Sequence, residues 1–221
     1  TDGKASQYQN LNKGILQEIK DGGTTVYPLA VLAFFALLVF IIKSIQLYSM
    51  PIETGSQMAA LAKAACDSNT EEPEAIIATV RGPNKVLMEK ASRYAKLPHE
   101  HLEEVLDEVI SSQIPLLARY LSVLSVSAAA APLLGLLGTV MGIIKTFALM
   151  SVFGSGNGDM LASGISEALI TTKLGLCLAI PCLLAHALLN RRMRSIASGL
   201  ERSALSFCNA LKIDGNNDCI K

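Results

Sequence analysis

The residues of this 221-residue chain that could do chemistry are two charged side chains and two hydroxyls beside long uncharged runs. Lys145 and Glu167 each lie eleven residues from Gly156, in a glycine-rich stretch. If that stretch turns between antiparallel helices, the two charges stand at one level. Thr139 and Thr172, seventeen and sixteen residues from the same centre, then form a second level about 9 Å deeper. The spacing predicts a polar track between two helices.

We expect Lys145 and Glu167 to pair, within one subunit or between neighbours, because pairing lowers the cost of a charge at membrane depth. The alternative is that Lys145 extends alone to the outer interface. A third charge, Lys173, adjoins Thr172. The sequence leaves open whether Lys173 points away from the track or alters the electrostatic field within it.

Small residues accompany the track. Gly135, Gly138 and Gly142 are three and four positions apart, so they share one helix face and allow a neighbouring helix to come close. We interpret them as helix-packing residues, together with Gly175. Ser125, Ser127 and the alanines at positions 128–131 form another narrow stretch, which borders either a helix contact or a polar lumen.

Three uncharged runs, residues 22–42, 120–144 and 174–190, must hold these side chains. A helix of about 20 apolar residues crosses a bilayer, and the third run reaches that length with the residues before it. Only 17% of the residues are charged, against roughly 25% in an ordinary soluble domain. A cleaved signal peptide is disfavoured because 21 residues precede the first run and no Ala-x-Ala site follows it. The sequence predicts an all-α integral membrane protein with three transmembrane helices.

The arginines after the third run set the predicted orientation. Arg191, Arg192 and Arg194 follow it, whereas residues 146–163 contain no lysine or arginine, so the C-terminus should be cytoplasmic and the N-terminus outside. The predicted segments are an outer amphipathic helix in 1–23, a first span in 24–48, a cytoplasmic helical connection in 49–118, a second span in 119–150, an outer turn in 151–163, a third span in 164–190, and a cytoplasmic C-terminal helix and tail in 191–221.

Apolar positions continue beyond the spans. Leu102, Leu106, Val109 and Ile110 share a helix face, and the chain then passes Pro115 into the second span without a loop signal. Apolar positions also continue past the third span at three-and-four spacing: Met193, Ile196, Leu200, Phe207 and Leu211. We expect both spans to extend into the cytoplasm, where several short helices form the connection. A long helix with an apolar stripe needs neighbours, which is a first indication of an oligomer.

Metal, nucleic-acid and enzymatic roles are disfavoured. The five cysteines should be free thiols, because Cys177 and Cys182 lie in the third span and the others on the reducing side. Cys182 and His186 supply only two ligands, and His99 with His101 begins a solvated helix, so we predict no metal and no cofactor. Nineteen basic and nineteen acidic residues give no charge excess that would indicate nucleic acid. The chain has no zinc-site helix motif, nucleophile elbow or phosphate loop, so we expect no enzyme.

Two stretches resemble the signatures of the MotA/TolQ/ExbB proton-channel family: APLLGLLGTVMGIIKTF at residues 131–147 and GDMLASGISEALITTKLGLCLAIP at residues 158–181. The order of spans, the outer N-terminus, the long connection and the C-terminal extension match as well. The similarity is greatest to the ExbB branch, which serves TonB-dependent energy transduction. Lys145 and Lys173 depart from the family pattern, in which neutral residues are common at these positions.

The resemblance implies a homopentamer in the bacterial inner membrane, with a periplasmic N-terminus. Its second and third spans would line a pore that holds an ExbD-like partner, and a TonB-like protein would carry the work to the outer membrane. Membrane lipids surround the assembly. The family's pore threonines and glutamate correspond to Thr139, Thr172 and Glu167, and we add Thr171, Ser125 and Ser127 as pore candidates. A TolQ-like role in envelope maintenance and a membrane scaffold without transport are the alternatives. A MotA-type stator is less expected, because the chain has three spans rather than four.

Overall fold

The computed structural model describes residue 23 and residues 25–50, 55–66, 72–80, 82–95, 97–153 and 158–215. Every regular element in these ranges is an α-helix. The helices are α1 (Val26–Tyr48), α2 (Gly55–Cys66), α3 (Glu72–Thr79), α4 (Pro83–Tyr94), α5 (His99–Ala118), α6 (Leu121–Phe153) and α7 (Gly158–Gly215). The amphipathic helix predicted within residues 1–23 lies outside the described residues, apart from Gly23.

Three helical stretches are long and apolar enough to cross a membrane: Val26–Tyr48, Glu100–Val152 and Ala162–Lys212. The prediction of an all-α membrane protein with three spans is therefore confirmed. Large apolar side chains such as Phe34, Leu38 and Ile42 are exposed on α1, as expected of a helix that faces lipid or other helices. The tyrosines Tyr27 and Tyr48 are exposed near its two ends, where aromatic side chains favour membrane interfaces.

The described chain forms two compact units. The first, here called the span unit, contains residues 23–40 and 122–186. In it α1 packs on α6 and α7 through a small apolar core, formed by Leu29, Leu32, Ala131, Leu134, Leu174, Leu178 and Ala179.

The second unit, here called the helical unit, contains the described residues of 41–121 and 187–215. Its core joins α2, α4 and α5 to the last part of α7, and the side chains of Met58, Leu87, Met88, Leu106 and Phe207 are almost fully buried. The predicted apolar face of α5 lies in this core with Leu200, Phe207 and Leu211 of α7. Met193 and Ile196 pack instead in a second cluster with Leu47 and Leu117, so both predicted faces are packed inside the helical unit. The prediction of several short helices in the connection is likewise confirmed.

Helix α7 is continuous for 58 residues and contains the predicted third span, 164–190, together with its apolar continuation to Leu211. It begins at Gly158, six residues before the predicted start of the third span. The turn-forming residues are concentrated at positions 154–157, whereas residues 159–163 contain no glycine or proline that would interrupt a helix.

The apolar stretch Glu100–Val152 continues past Pro115, but it contains one short break. Helix α5 ends at Ala118 and α6 begins at Leu121. Between them Arg119 has a ψ of 132°, and Tyr120 has a φ of +69°, a left-handed conformation that non-glycine residues rarely adopt. At this break the ammonium group of Lys43 donates to the carbonyl oxygen of Leu117, which in a continuous helix would accept from the amide of Leu121.

Candidate functional site

The last two spans meet along a seam of small residues. The seam contains Ala131, Gly135, Gly138 and Gly142 of α6, and Gly164, Ala168, Thr171 and Gly175 of α7. These positions recur every three or four residues, so each set occupies one face of its helix. Small residues on facing helices let the two backbones come close, which is a common way for membrane helices to associate.

The spacing across the seam leaves no room for larger side chains. A Cβ atom on Gly175 would lie 2.6 Å from the carbonyl oxygen of Ala131, and one on Gly135 would lie 3.1 Å from Cα of Thr172. A Cβ on Gly142 would lie 2.9 Å from Cβ of Ala168. The glycines are therefore required for the approach of α6 to α7.

Threonine hydroxyls lie in and beside this seam. Thr171 is buried and donates to the carbonyl of Ala168 at 2.8 Å. Thr172 is half-buried, and its hydroxyl lies 3.3 Å from the carbonyl oxygen of Gly135 on the facing helix. Thr139, one helical turn after Gly135, is half-buried and donates to the carbonyl of Leu136 at 2.7 Å. Each oxygen keeps lone pairs free, so each hydroxyl can still accept a hydrogen bond from a passing water or acid.

The two serines occupy different environments. Ser125 is exposed on the surface of α6. Ser127 is only 1% exposed, and its hydroxyl makes no hydrogen bond to any group that the structure describes. A buried hydroxyl without a partner costs free energy, so Ser127 is a position at which water or a neighbouring chain would be stabilised.

The charged pair lies near the end of the seam that leads to the connection between α6 and α7. Lys145 donates to Oε2 of Glu167 at 2.7 Å. The Glu167 side chain is 18% exposed and the Lys145 side chain 60% exposed, so the carboxylate is the more enclosed partner. Beside the pair, the Thr146 side chain packs against Gly164 and donates to the carbonyl of Gly142 at 2.8 Å.

Lys173 lies on the exposed surface of α7. It contributes to a shallow groove of about 480 Å³ along that helix, lined by Ala162, Ile165, Ser166, Leu169, Ile170 and Lys173. Its neighbour Thr172 contacts the seam instead. Adjacent residues of a helix point about 100° apart, so Lys173 and the seam belong to different faces of α7.

Comparison with known proteins identifies the family. The model of the MotA/TolQ/ExbB proton channel family matches residues 74–202, which is more than half of the chain. The chain belongs to the MotA/TolQ/ExbB proton channel family. The match includes the whole of α6 and the part of α7 that carries Glu167, Thr171 and Thr172.

Relatives within this family carry ExbB and TolQ names. A putative biopolymer transport protein ExbB-like 3 of Synechocystis is 38% identical over 81 residues, 36% of this chain and 39% of that protein. The Tol-Pal system protein TolQ of Haemophilus influenzae is 33% identical over 129 residues, 58% and 46% of the two chains. The biopolymer transport protein ExbB of Helicobacter pylori is 43% identical over 76 residues, 34% and 52% of the two chains. The chain thus spans about half or less of these relatives.

Membership of the MotA/TolQ/ExbB family makes the chain a member of a class of membrane proteins that energise other processes.

Cys177, Cys182 and Cys208 are free thiols, the first exposed and the others buried. In the ranges that the structure describes, no three His, Cys, Asp or Glu side chains are grouped closely enough to hold a metal ion. His101 lies 3.6 Å from Glu104 on the exposed start of α5.

Two positively charged side chains, Lys43 and Arg192, make contacts that the sequence analysis did not predict. Lys43 is 3% exposed and donates to the carbonyl of Leu117 at 3.3 Å. Arg192 donates to the carbonyls of Leu47 at 3.4 Å and Met50 at 3.1 Å. The three acceptors lie at or just after the C-terminal ends of helices, where free carbonyls attract positive charge. The sequence feature that could have indicated these contacts is a lysine or arginine close to a predicted helix end.

Proposed function

We propose that the chain is the pore-forming subunit of a motor driven by the proton motive force, of the ExbB type. The observation that supports this proposal is the arrangement along the seam: hydroxyl groups lie beside closely packed glycines, and the pair of Lys145 and Glu167 lies at one end. Hydroxyls donate and accept at once, so a row of them can guide a proton without holding it. Thr139, Thr172 and Glu167 carry this role, with Thr171, Ser125 and Ser127 beside them.

The protonated group itself comes from a partner. Residues 22–42, 120–144 and 174–190 contain no carboxylate, so a proton that crosses the middle of the spans needs an acid from elsewhere. A small subunit of the ExbD type with a membrane carboxylate supplies that acid. We propose that it occupies a central pore formed by five copies of this chain and that a TonB-like protein takes up the work.

The proposed orientation places residues 1–23 in the periplasm and the helical unit in the cytoplasm of a bacterium. The exposed arginines Arg191 and Arg194, which follow the last uncharged run, favour the cytoplasmic side for that end. Exposed apolar residues on α6 and α7, among them Leu133, Leu137, Leu169 and Leu176, suit contacts with lipid and with neighbouring copies.

A Tol-type motor for envelope maintenance is the second candidate. Its support is the match to the Haemophilus TolQ protein, which is 33% identical over 129 residues of this chain. Expression in strains that lack either system separates the two functions. Restored siderophore-dependent growth supports the ExbB role, and restored resistance to detergents supports the Tol role.

Co-expression with a small single-span partner tests the assembly. The chain is purified with and without the co-expressed partner. Native mass spectrometry of the complex should find five copies of this chain with fewer copies of the partner. A monomer in both preparations would contradict the proposal. Crosslinking between the two chains should change when an uncoupler dissipates the proton gradient. A crosslinking pattern that is insensitive to the uncoupler would favour a scaffold.

A further inference from the structure

Gly23, just before α1, contacts the glutamate of the charged pair. Its φ is +66°, and its carbonyl accepts a hydrogen bond from the Val26 amide at 3.4 Å. A Cβ atom on Gly23 would overlap Oε1 of Glu167 and would lie 2.6 Å from Cδ. The carboxylate of Glu167 therefore occupies the position at which any residue other than glycine would place its Cβ atom.

Glu167 is thus enclosed by two different segments. The ammonium group of Lys145, on α6, binds Oε2, and Gly23 lies against Oε1. This enclosure accounts for the low exposure of the Glu167 side chain, 18%, beside a Lys145 side chain that is 60% exposed. The lysine supplies the attraction, and the glycine fixes where the carboxylate can be.

We propose that Gly23 is a positioning residue for Glu167. Gly23, which precedes α1, packs against one oxygen of the carboxylate and directs the other toward Lys145. The geometry of the pair therefore depends on the start of α1 as well as on α6 and α7. The consequence for proton transport rests on the proposed function, whereas the effect on the ion pair does not.

Gly82 provides a matched control. It has a similar φ, +77°, but a Cβ there would meet only Met50 atoms, at 3.4 to 3.6 Å, an ordinary contact distance. Gly82→Ala therefore also introduces an alanine at positive φ, here with a ψ of −151°, but without an overlap. Comparing the two variants separates the contact with Glu167 from the general cost of an alanine at positive φ.

The test is the rate at which Lys145 reacts with an amine-acylating reagent in the full chain, followed by peptide mass spectrometry. Gly23→Ala should speed this reaction about threefold, because the ion pair that holds the partly exposed amine of Lys145 is lost. Glu167→Gln should speed it by the same factor for the same reason. Gly82→Ala should leave the rate unchanged. In a Glu167→Ala background, Gly23→Ala should add nothing, since no carboxylate remains to be displaced.

An unchanged rate in Gly23→Ala would overturn the inference, as would an equal increase in Gly82→Ala. Proton-driven activity of the same variants is measured separately. If the labelling of Lys145 rises and the wild-type chain shows no proton-driven activity, the positioning role stands and the proposed function fails. If the activity is present and the variant leaves it unaffected, the positioning role stands and the part of the pair in proton transport fails.

Discussion

The side chain of Thr171 lies directly over Gly138 on the facing helix of the seam. A Cβ atom on Gly138 would overlap the Thr171 hydroxyl and would lie 2.6 Å from Cβ of Thr171. Because Thr171 is β-branched and buried, it has little freedom to move aside. The approach of α6 to α7 therefore depends on the missing side chain at position 138.

We expect Gly138→Ala to destabilise the chain by about 1–3 kcal/mol, the usual cost of overpacking a tight contact. Thermal unfolding of the full chain in detergent measures the change. Gly158→Ala is the matched control, since a Cβ at that position meets no atom of the described residues within 4 Å. The control should be close to neutral, because the preference of helices for alanine over glycine applies to their interiors and Gly158 is the first residue of α7. Equal losses in the two variants would contradict the role of the seam.

The ion pair at the end of the seam should respond to exchange of its charges. Lys145→Glu or Glu167→Lys places like charges where the structure has an N–O distance of 2.7 Å. Each single change should reduce assembly and proton-driven activity, and the double exchange should restore part of both. A double variant no better than the singles would show that the pair does not act as a unit.

A second ion pair provides the comparison for this exchange. Lys85 and Glu89 are 3.8 Å apart on α4, with side chains 49% and 54% exposed. Exposed pairs contribute little to stability, typically below about 1 kcal/mol. Exchanging these two charges should change neither unfolding nor activity.

Counting residues from a turn was enough to place Lys145 and Glu167 at one level, because two antiparallel helices rise by the same distance per residue. The same counting could not decide between Thr171 and Thr172. These neighbours point about 100° apart, and which of them faces Gly138 depends on the rotation of α7 about its axis. That rotation is set by packing along the whole seam, which a residue count does not contain.

The contacts to main-chain atoms were also beyond prediction. Lys43 and its acceptor at Leu117 are 74 residues apart, and Arg192 and its acceptor at Leu47 are 145 residues apart. A carbonyl oxygen is present at every position, so the sequence carries no sign of which one a cation binds. The break at Tyr120 was not predicted either, because no glycine or proline marks it.

The threonines of the proposed pathway can be tested by removing their hydroxyls while keeping their shape. We expect Thr139→Val or Thr172→Val to abolish proton-driven uptake and to leave the oligomer intact by native mass spectrometry. Thr146→Val is the control, because Thr146 makes a similar bond within its helix but is not part of the pathway. Normal uptake in either pathway variant would refute their role.

Lys43 should stabilise the helix break that precedes the second span. Lys43→Met leaves the Leu117 carbonyl buried without its donor, at a cost of about 1–3 kcal/mol. The end of α5 should then open more often, so trypsin should cleave faster after Arg119, which is exposed. Limited proteolysis with peptide mapping measures that rate. Lys85→Met, which alters an exposed lysine in α4, should leave it unchanged, and a faster rate there would point to general loosening instead.

Arg192 should stabilise the end of α1 through the shape of its guanidinium group as well as its charge. The group bonds the carbonyls of Leu47 and Met50 and lies 5.3 Å from the centre of the Tyr48 ring. A lysine ammonium is a point charge that cannot make the paired and stacked contacts together. Arg192→Lys should therefore lose most of the stability that Arg192→Gln loses, about 1–2 kcal/mol. The neighbouring Arg191 is exposed, so Arg191→Gln should leave thermal unfolding unchanged. Full retention of stability in Arg192→Lys would mean that positive charge alone is sufficient at this helix end.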